Sequence, residues 1–212
     1  MTTILFLHGG GHADHTRYNN LISRFSTQGI LCRAFDHHAN TLAGRLLEAE
    51  NELSQLKSTH QLSDKDIFIW GSSMGGHIAS LLTATHPDLK GIMLQSAAAY
   101  SSAAESLPFG PSFTAELHRE NSWEDSKAFP ALTKYLGPVL VLYGEHDEVI
   151  PTGVKERYIS RANNNGQHHL LHGAGHSLLR PSSPEEQQAW EEMYHHSLHF
   201  INSLPDLQGE TP

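Results

Sequence analysis

The chain has 212 residues and carries Lys+Arg 14 against Asp+Glu 23, a formal net charge of −9. That length suits one α/β domain with a sizeable core, and the basic residues are scattered rather than gathered into a face for phosphates, which argues against nucleic acid as a partner. A single cysteine, Cys32, excludes an intrachain disulfide framework and fits a reducing compartment, so the cytoplasm is the expected location.

The opening MTTILFLHGGG has no positively charged leader, and its apolar run Ile4–Leu7 is too short for a signal core or a membrane span. It predicts a first β-strand and a protein without a membrane segment. Helical spacing follows over 17–28, then the run Ile30–Phe35, a helix over 41–58, the run Ile67–Trp70, a helix over 74–86 and the run Gly91–Leu94. After a long interval come Val139–Tyr143, a helix over 152–163 and a weaker run, Gln167–Leu171. Ser183-Pro184-Glu185-Glu186 then supplies an N-cap, a proline at the first helical position and a glutamate three residues beyond the cap, opening a final helix that runs to about Ser203. The first five runs are continuous rather than alternating in polarity, as in strands covered on both faces. A βαβα succession of this kind predicts a mostly parallel sheet with helices on both faces, in one domain spanning 1–212. Residues 101–137, rich in Ser, Ala and Pro and helix-like around Asn121–Glu124, are too long for a simple connection and predict a short cap. Pro205–Pro212 reads as a frayed polar tail.

FIWGSSMGGH, residues 68–77, lies between a buried strand and a helix and contains G-x-S-x-G centred on Ser73. A sharp strand-to-helix turn requires small residues two before and two after the central serine. Gly71 and Gly75 fill those places for Ser73, whereas Ser72 would need them at Trp70 and Met74. The N-terminus of the following helix points its N–H groups at the serine oxygen.

A serine hydroxyl needs a base, an acid to orient that base, and donors for an oxyanion. The loop after the fifth run holds Glu145, Asp147 and Glu148. Asp147 is the candidate acid, and the two glutamates read as solvated loop charges. The small-residue loop His172-Gly173-Ala174-Gly175-His176 follows the sixth run and offers His176 as base, with His172 second. The glycine loop after the first run, together with the N–H of Met74, would make an oxyanion hole. That loop is no dinucleotide site, since Asp14 stands where G-x-G-x-x-G needs its third glycine, and no cofactor is expected.

The chain order Ser73, Asp147, His176 resembles that of nucleophile, acid and base in the α/β-hydrolase superfamily, and the resemblance covers nearly the whole chain. Leu7-His8-Gly9-Gly10-Gly11 is similar to the family's HG oxyanion loop, which implies the N–H of Gly10 as a donor. Asp147 with Pro151 is similar to its D-x-x-x-P turn. The family's two leading antiparallel strands have no counterpart here, so the resemblance implies a reduced α/β-hydrolase fold with about six strands and a short cap, nearer to small esterases and thioesterases than to lipases. The expected function is cleavage of a small acyl substrate, ester or thioester, through an acyl-enzyme. Two alternatives stand beside it. One is a non-catalytic binding protein of the same fold. The other is a metal-dependent hydrolase built on His8, His12 and His15, since His12-Ala13-Asp14-His15 looks like half of an H-x-H-x-D-H loop. Gly10 stands where that loop needs its first histidine, and no metal is expected.

Overall fold

The computed structural model describes residues 1–10 and 14–204, so Gly11, His12, Ala13 and the tail 205–212 lie outside the described residues. Among the described residues, six strands, β1 (Thr3–Leu7), β2 (Leu31–Ala34), β3 (Ile67–Ser72), β4 (Gly91–Gln95), β5 (Val139–Gly144) and β6 (Gly166–Leu171), form one sheet in the order β2-β1-β3-β4-β5-β6. Every pairing is parallel. All residues of β1, β3, β4 and β5 are buried, which explains their unbroken apolar runs. The edge strands differ: β2 is half-buried, and β6 alternates between exposed and covered positions until Leu171.

Among the described residues seven α-helices accompany the sheet: α1 (Asn19–Thr27), α2 (Leu42–His60), α3 (Met74–Leu82), α4 (Pro111–Leu117), α5 (Ala128–Lys134), α6 (Thr152–Asn164) and α7 (Pro184–Ser203). Side chains alternate across a strand, so each strand feeds both layers. Leu5, Leu7, Ile67 and Ile69 pack with Leu53 of α2, Ile78 of α3 and Val154 of α6. Ile4, Phe6, Phe68 and Trp70 pack on the opposite face with Phe25 of α1 and with Trp190 and Met193 of α7.

The local signals act largely as expected. Ser183 Oγ caps the N–H of Glu186 at 3.1 Å, but the Glu186 carboxylate takes the N–H and hydroxyl of Ser182 instead of reaching back to Ser183. The predicted helix over 74–86 stops at Leu82, where tight turns (Thr83 N to Ser80 O, Ala84 N to Leu81 O) lead into Pro87. Residues 101–137 form α4, α5 and two short 3₁₀ turns, Ala103–Ser106 and Ser122–Asp125. Their aromatic rings are spent on packing: Phe113 lies 5.6 Å from Tyr100 and Phe129 lies 5.2 Å from Tyr158, centroid to centroid. Among the described residues, no helix is long and apolar enough to cross a membrane.

The strand order has one consequence for function. From β1 the chain steps outward to β2 and then returns to the other side of β1 as β3, so the connections diverge between β1 and β3. A crevice opens at the carboxyl ends of strands where this happens. Gly9 and Gly10 follow β1 at that place, and Ser73 follows β3.

Candidate active site

Ser73 occupies a sharp turn with φ 51 and ψ −115, a region that non-glycine residues rarely enter and that costs on the order of 1–3 kcal/mol. The surroundings enforce it. Ser73 N–H donates to Gln95 O at 2.9 Å, and Ser73 O accepts from Gly76 N at 2.9 Å and Ala98 N at 3.0 Å. A Cβ on Gly71 would strike the Gly75 carbonyl, and one on Gly75 would strike that of Leu7. The glycines are there because β1, the turn and α3 pass too close for any side chain.

Ser72 is a structural neighbour. Its Oγ accepts from Tyr18 O–H at 2.9 Å and from Trp70 Nε1 at 3.1 Å, and the residue is buried. Ser73 Oγ instead lies 3.0 Å from His176 Nε2, and His176 Nδ1 lies 3.0 Å from Asp147 Oδ2. A carboxylate oxygen only accepts, so the Asp147 contact puts the imidazole proton on Nδ1 and leaves Nε2 free to accept from the serine.

Asp147 is held from several sides. Its side chain is 0% exposed, and Oδ1 accepts from Val149 N–H at 3.0 Å and Ile150 N–H at 3.2 Å. Lys155 Nζ donates to its backbone carbonyl. Burial pushes its pKa up, but the His176 hydrogen bond and charge, with the two backbone donors, outweigh burial and hold it below the ordinary aspartate value. Glu145 and Glu148 are exposed. Glu145 accepts from Gly173 N at 3.1 Å and lies 3.5 Å from His172, whose side chain is 75% exposed, so neither of the competing residues reaches the serine.

The glycine loop is fixed by its carbonyl. Gly9 O accepts from His8 Nδ1 at 2.8 Å and from Arg45 Nη1 at 3.2 Å. Among the described residues no peptide bond is cis, so the N–H of Gly10, on the same peptide plane, points the opposite way from that anchored carbonyl. Among the described residues neither Gly10 N–H nor Met74 N–H donates to an acceptor. A cavity of about 140 Å³ lies between these parts, lined by residues that include Gly9, Gly10, Arg17, Ser73, His176 and Leu179. None of its lining residues comes from 101–137; Ala104, Phe113, Leu132 and Tyr135 of that segment pack instead into the layer carrying α2, α3 and α6.

The histidine clusters behave differently. Both ring nitrogens of His8 are engaged, since Nε2 accepts from His37 N–H at 3.1 Å, and burial is the main cause that lowers its pKa. His15 Nδ1 pairs with Asp36 at 3.0 Å, and His12 is outside the described residues. Among the described residues no three His, Cys, Asp or Glu side chains converge as metal ligands do.

Several participants carried no local signal. Tyr18, Arg45 and Gln95, whose Nε2 donates to His176 O at 3.2 Å, reach the site only through the fold.

A parallel sheet with a serine on a strained turn and a histidine and an aspartate beyond later strands defines the α/β-hydrolase class. A family model described as an alpha/beta hydrolase domain matches residues 1–202, and the chain belongs to that family, a membership that supports hydrolase activity. Among solved structures it is similar to an esterase of the planctomycete Thermogutta terrifontis with propionate bound (TM-score 0.75, 15% identity, covering 99% of this chain and 85% of that one). The same organism's esterase 2 phosphonylated by sarin gives 0.76 at 13% identity, over 99% and 86%. Est1E from Butyrivibrio proteoclasticus gives 0.65 at 18%, over 95% and 88%. At such identities the likeness is one of fold. No curated protein sequence matches the chain.

Proposed function

We propose that this protein is a serine hydrolase that cleaves a small ester or thioester through an acyl-enzyme, as a cytoplasmic enzyme without a cofactor. The observation that carries the reading is the unbroken relay from Ser73 through His176 to Asp147, with the serine held at φ 51. Ser73 Oγ attacks the acyl carbon while its proton passes to His176 Nε2, and the carbonyl π pair moves onto oxygen, facing the N–H groups of Gly10 and Met74. Collapse of that oxyanion breaks the bond to the leaving group, which takes the proton from Nε2. Water then repeats the sequence on the acyl-serine: its proton goes to Nε2, the tetrahedral adduct collapses, and Ser73 recovers the proton as the acid departs. Asp147 holds Nδ1–H throughout and stabilises the transient imidazolium.

The similar Thermogutta esterase is one phosphonylated by sarin, which makes a fluorophosphonate the natural probe here. Labelling at Ser73 that disappears in Ser73→Ala, and survives EDTA, is the expected result. Labelling that persists at Ser72 would refute the nucleophile assignment. Absence of labelling would favour a non-catalytic binding protein, and esterase activity lost to EDTA and restored by Zn²⁺ would favour a metallo-hydrolase.

A further inference from the structure

One charged side chain in the cavity has no task in the mechanism above. Arg17 sits on the 3₁₀ turn His15–Tyr18 and lines the same cavity as Ser73 and His176. Its Nε is shielded from solvent and meets no acceptor among the described residues, and the guanidinium makes no hydrogen bond or ion pair with them. With Nε closed off, the terminal Nη groups are the donors that a ligand in the cavity would meet, and they are unpaired among the described residues.

The nearby acids do not supply one. Asp14 bonds to the N–H and hydroxyl of Thr16 and lies 3.8 Å from Arg180; Arg17 is only the smallest of the causes lowering its pKa. Asp36 is taken up by the N–H of His15 at 2.7 Å and its ring at 3.0 Å. Asp147 is behind His176, with both oxygens occupied. In a chain of net charge −9, a guanidinium that lines the cavity with Ser73 and bonds to no carboxylate among the described residues is a local exception.

From this geometry we infer that Arg17 is a specificity residue that receives a carboxylate on the substrate, so that the enzyme acts on short acyl compounds bearing a free acid group. A guanidinium presents paired donors that match the two oxygens of a carboxylate. The cavity of about 140 Å³ keeps that acid within a few atoms of the scissile carbonyl. The inference rests on the serine-hydrolase reading and narrows its substrate class.

Two matched pairs test it and locate the acid: monoethyl succinate against ethyl butyrate, with the acid on the acyl side, and acetoxyacetate against acetoxyacetamide, with the acid on the leaving group. Wild type is expected to prefer the acid in one pair. In Arg17→Gln the acid-to-neutral ratio of kcat/KM is expected to fall about 10- to 100-fold, the loss that follows removal of a charge-assisted hydrogen bond. The fall should appear mainly in KM, with partial recovery in Arg17→Lys. No preference for the acid in either pair, or a ratio that Arg17→Gln leaves unchanged because both substrates suffer equally, would overturn the inference. The second result would assign Arg17 to general stabilisation of the oxyanion.

Fluorophosphonate labelling of wild type keeps the two readings apart. If Ser73 labels but the ratios do not move, only the carboxylate site is lost. If Ser73 neither labels nor turns over any ester, the hydrolase reading falls, and succinate binding to Ser73→Ala, followed by saturation-transfer NMR, decides the anion site alone. Binding that disappears on adding Arg17→Gln supports the site, and no binding overturns it.

Discussion

Replacing Asp147 by asparagine keeps the shape of the side chain and changes which atom can face His176. Oδ1 accepts from two backbone N–H groups, Val149 at 3.0 Å and Ile150 at 3.2 Å, so the amide oxygen must occupy that position. The amide NH₂ is then turned toward His176 Nδ1. Nδ1 must become an acceptor, the imidazole proton moves to Nε2, and Nε2 can no longer take the proton of Ser73. Recovering the working tautomer requires flipping the amide, which leaves two backbone donors facing an NH₂ group. At about 1–3 kcal/mol for each unsatisfied buried donor, the flip costs about 2–6 kcal/mol. With about 1.36 kcal/mol per tenfold in rate, that corresponds to roughly 30-fold up to 2 × 10⁴-fold. The side chain is 0% exposed, so water cannot relieve the mismatch, and the expected loss in kcat lies in the upper part of that range, on the order of 10³ to 10⁴. The assay is steady-state hydrolysis of p-nitrophenyl acetate by wild type, Asp147→Asn and Glu145→Gln, with circular dichroism to confirm folding. A loss below tenfold in Asp147→Asn, or a severe loss in Glu145→Gln, would refute the argument.

Ser72→Ala is expected to leave fluorophosphonate labelling of Ser73 intact while costing about 1–3 kcal/mol in denaturant unfolding, because the buried Trp70 Nε1 loses its acceptor. Stability is expected to fall on acidification from about pH 6.5. Burial is the first cause that pushes His37 and His169 down to about 4, so the unfolded chain binds more protons than the folded one between those values. His169→Gln should flatten the dependence of the urea midpoint on pH between 7.5 and 4.5, and an unchanged slope would remove that histidine from the account. The lowered pKa of Asp147 works over a different window: its contribution is complete above about 3.9 and is lost as pH falls through the still lower folded value, so the stability gap between wild type and Asp147→Asn should close only in strong acid. Among p-nitrophenyl esters, kcat/KM should peak between acetate and butyrate and decline by octanoate, since the cavity by the serine is about 140 Å³. A profile still rising at palmitate would show a long acyl pocket.

The strands were legible because burial on both faces leaves an unbroken apolar run, as in Ile67–Trp70. β6 was the weak one for the converse reason: an edge strand has one face in water, and its exposure alternates. The choice between Ser72 and Ser73 could be read locally, since glycines two residues to either side are a steric requirement of the turn. Tyr18, which donates to Ser72 across 54 positions of sequence, could not be, and neither could Arg45, whose grip on the Gly9 carbonyl depends on where α2 lies. The length of 101–137 predicts a short cap, yet none of its residues lines the cavity beside Ser73. That length was visible in the sequence, but the layer receiving the segment's apolar side chains was decided by Tyr100 and Tyr158, which only the fold brings near.

The order of the strands also sets a timetable for the newborn chain. Ser73, Asp147 and His176 follow β3, β5 and β6, and the relay closes only when the outermost of these has taken its place at the sheet's edge. A ribosome that has released Ser73 must add 103 further residues before His176 emerges. On the serine-hydrolase reading, Ser73 is until then an ordinary alcohol without its base. On the proposed reading the serine is thus activated only once β6 pairs with β5 at the edge of the sheet.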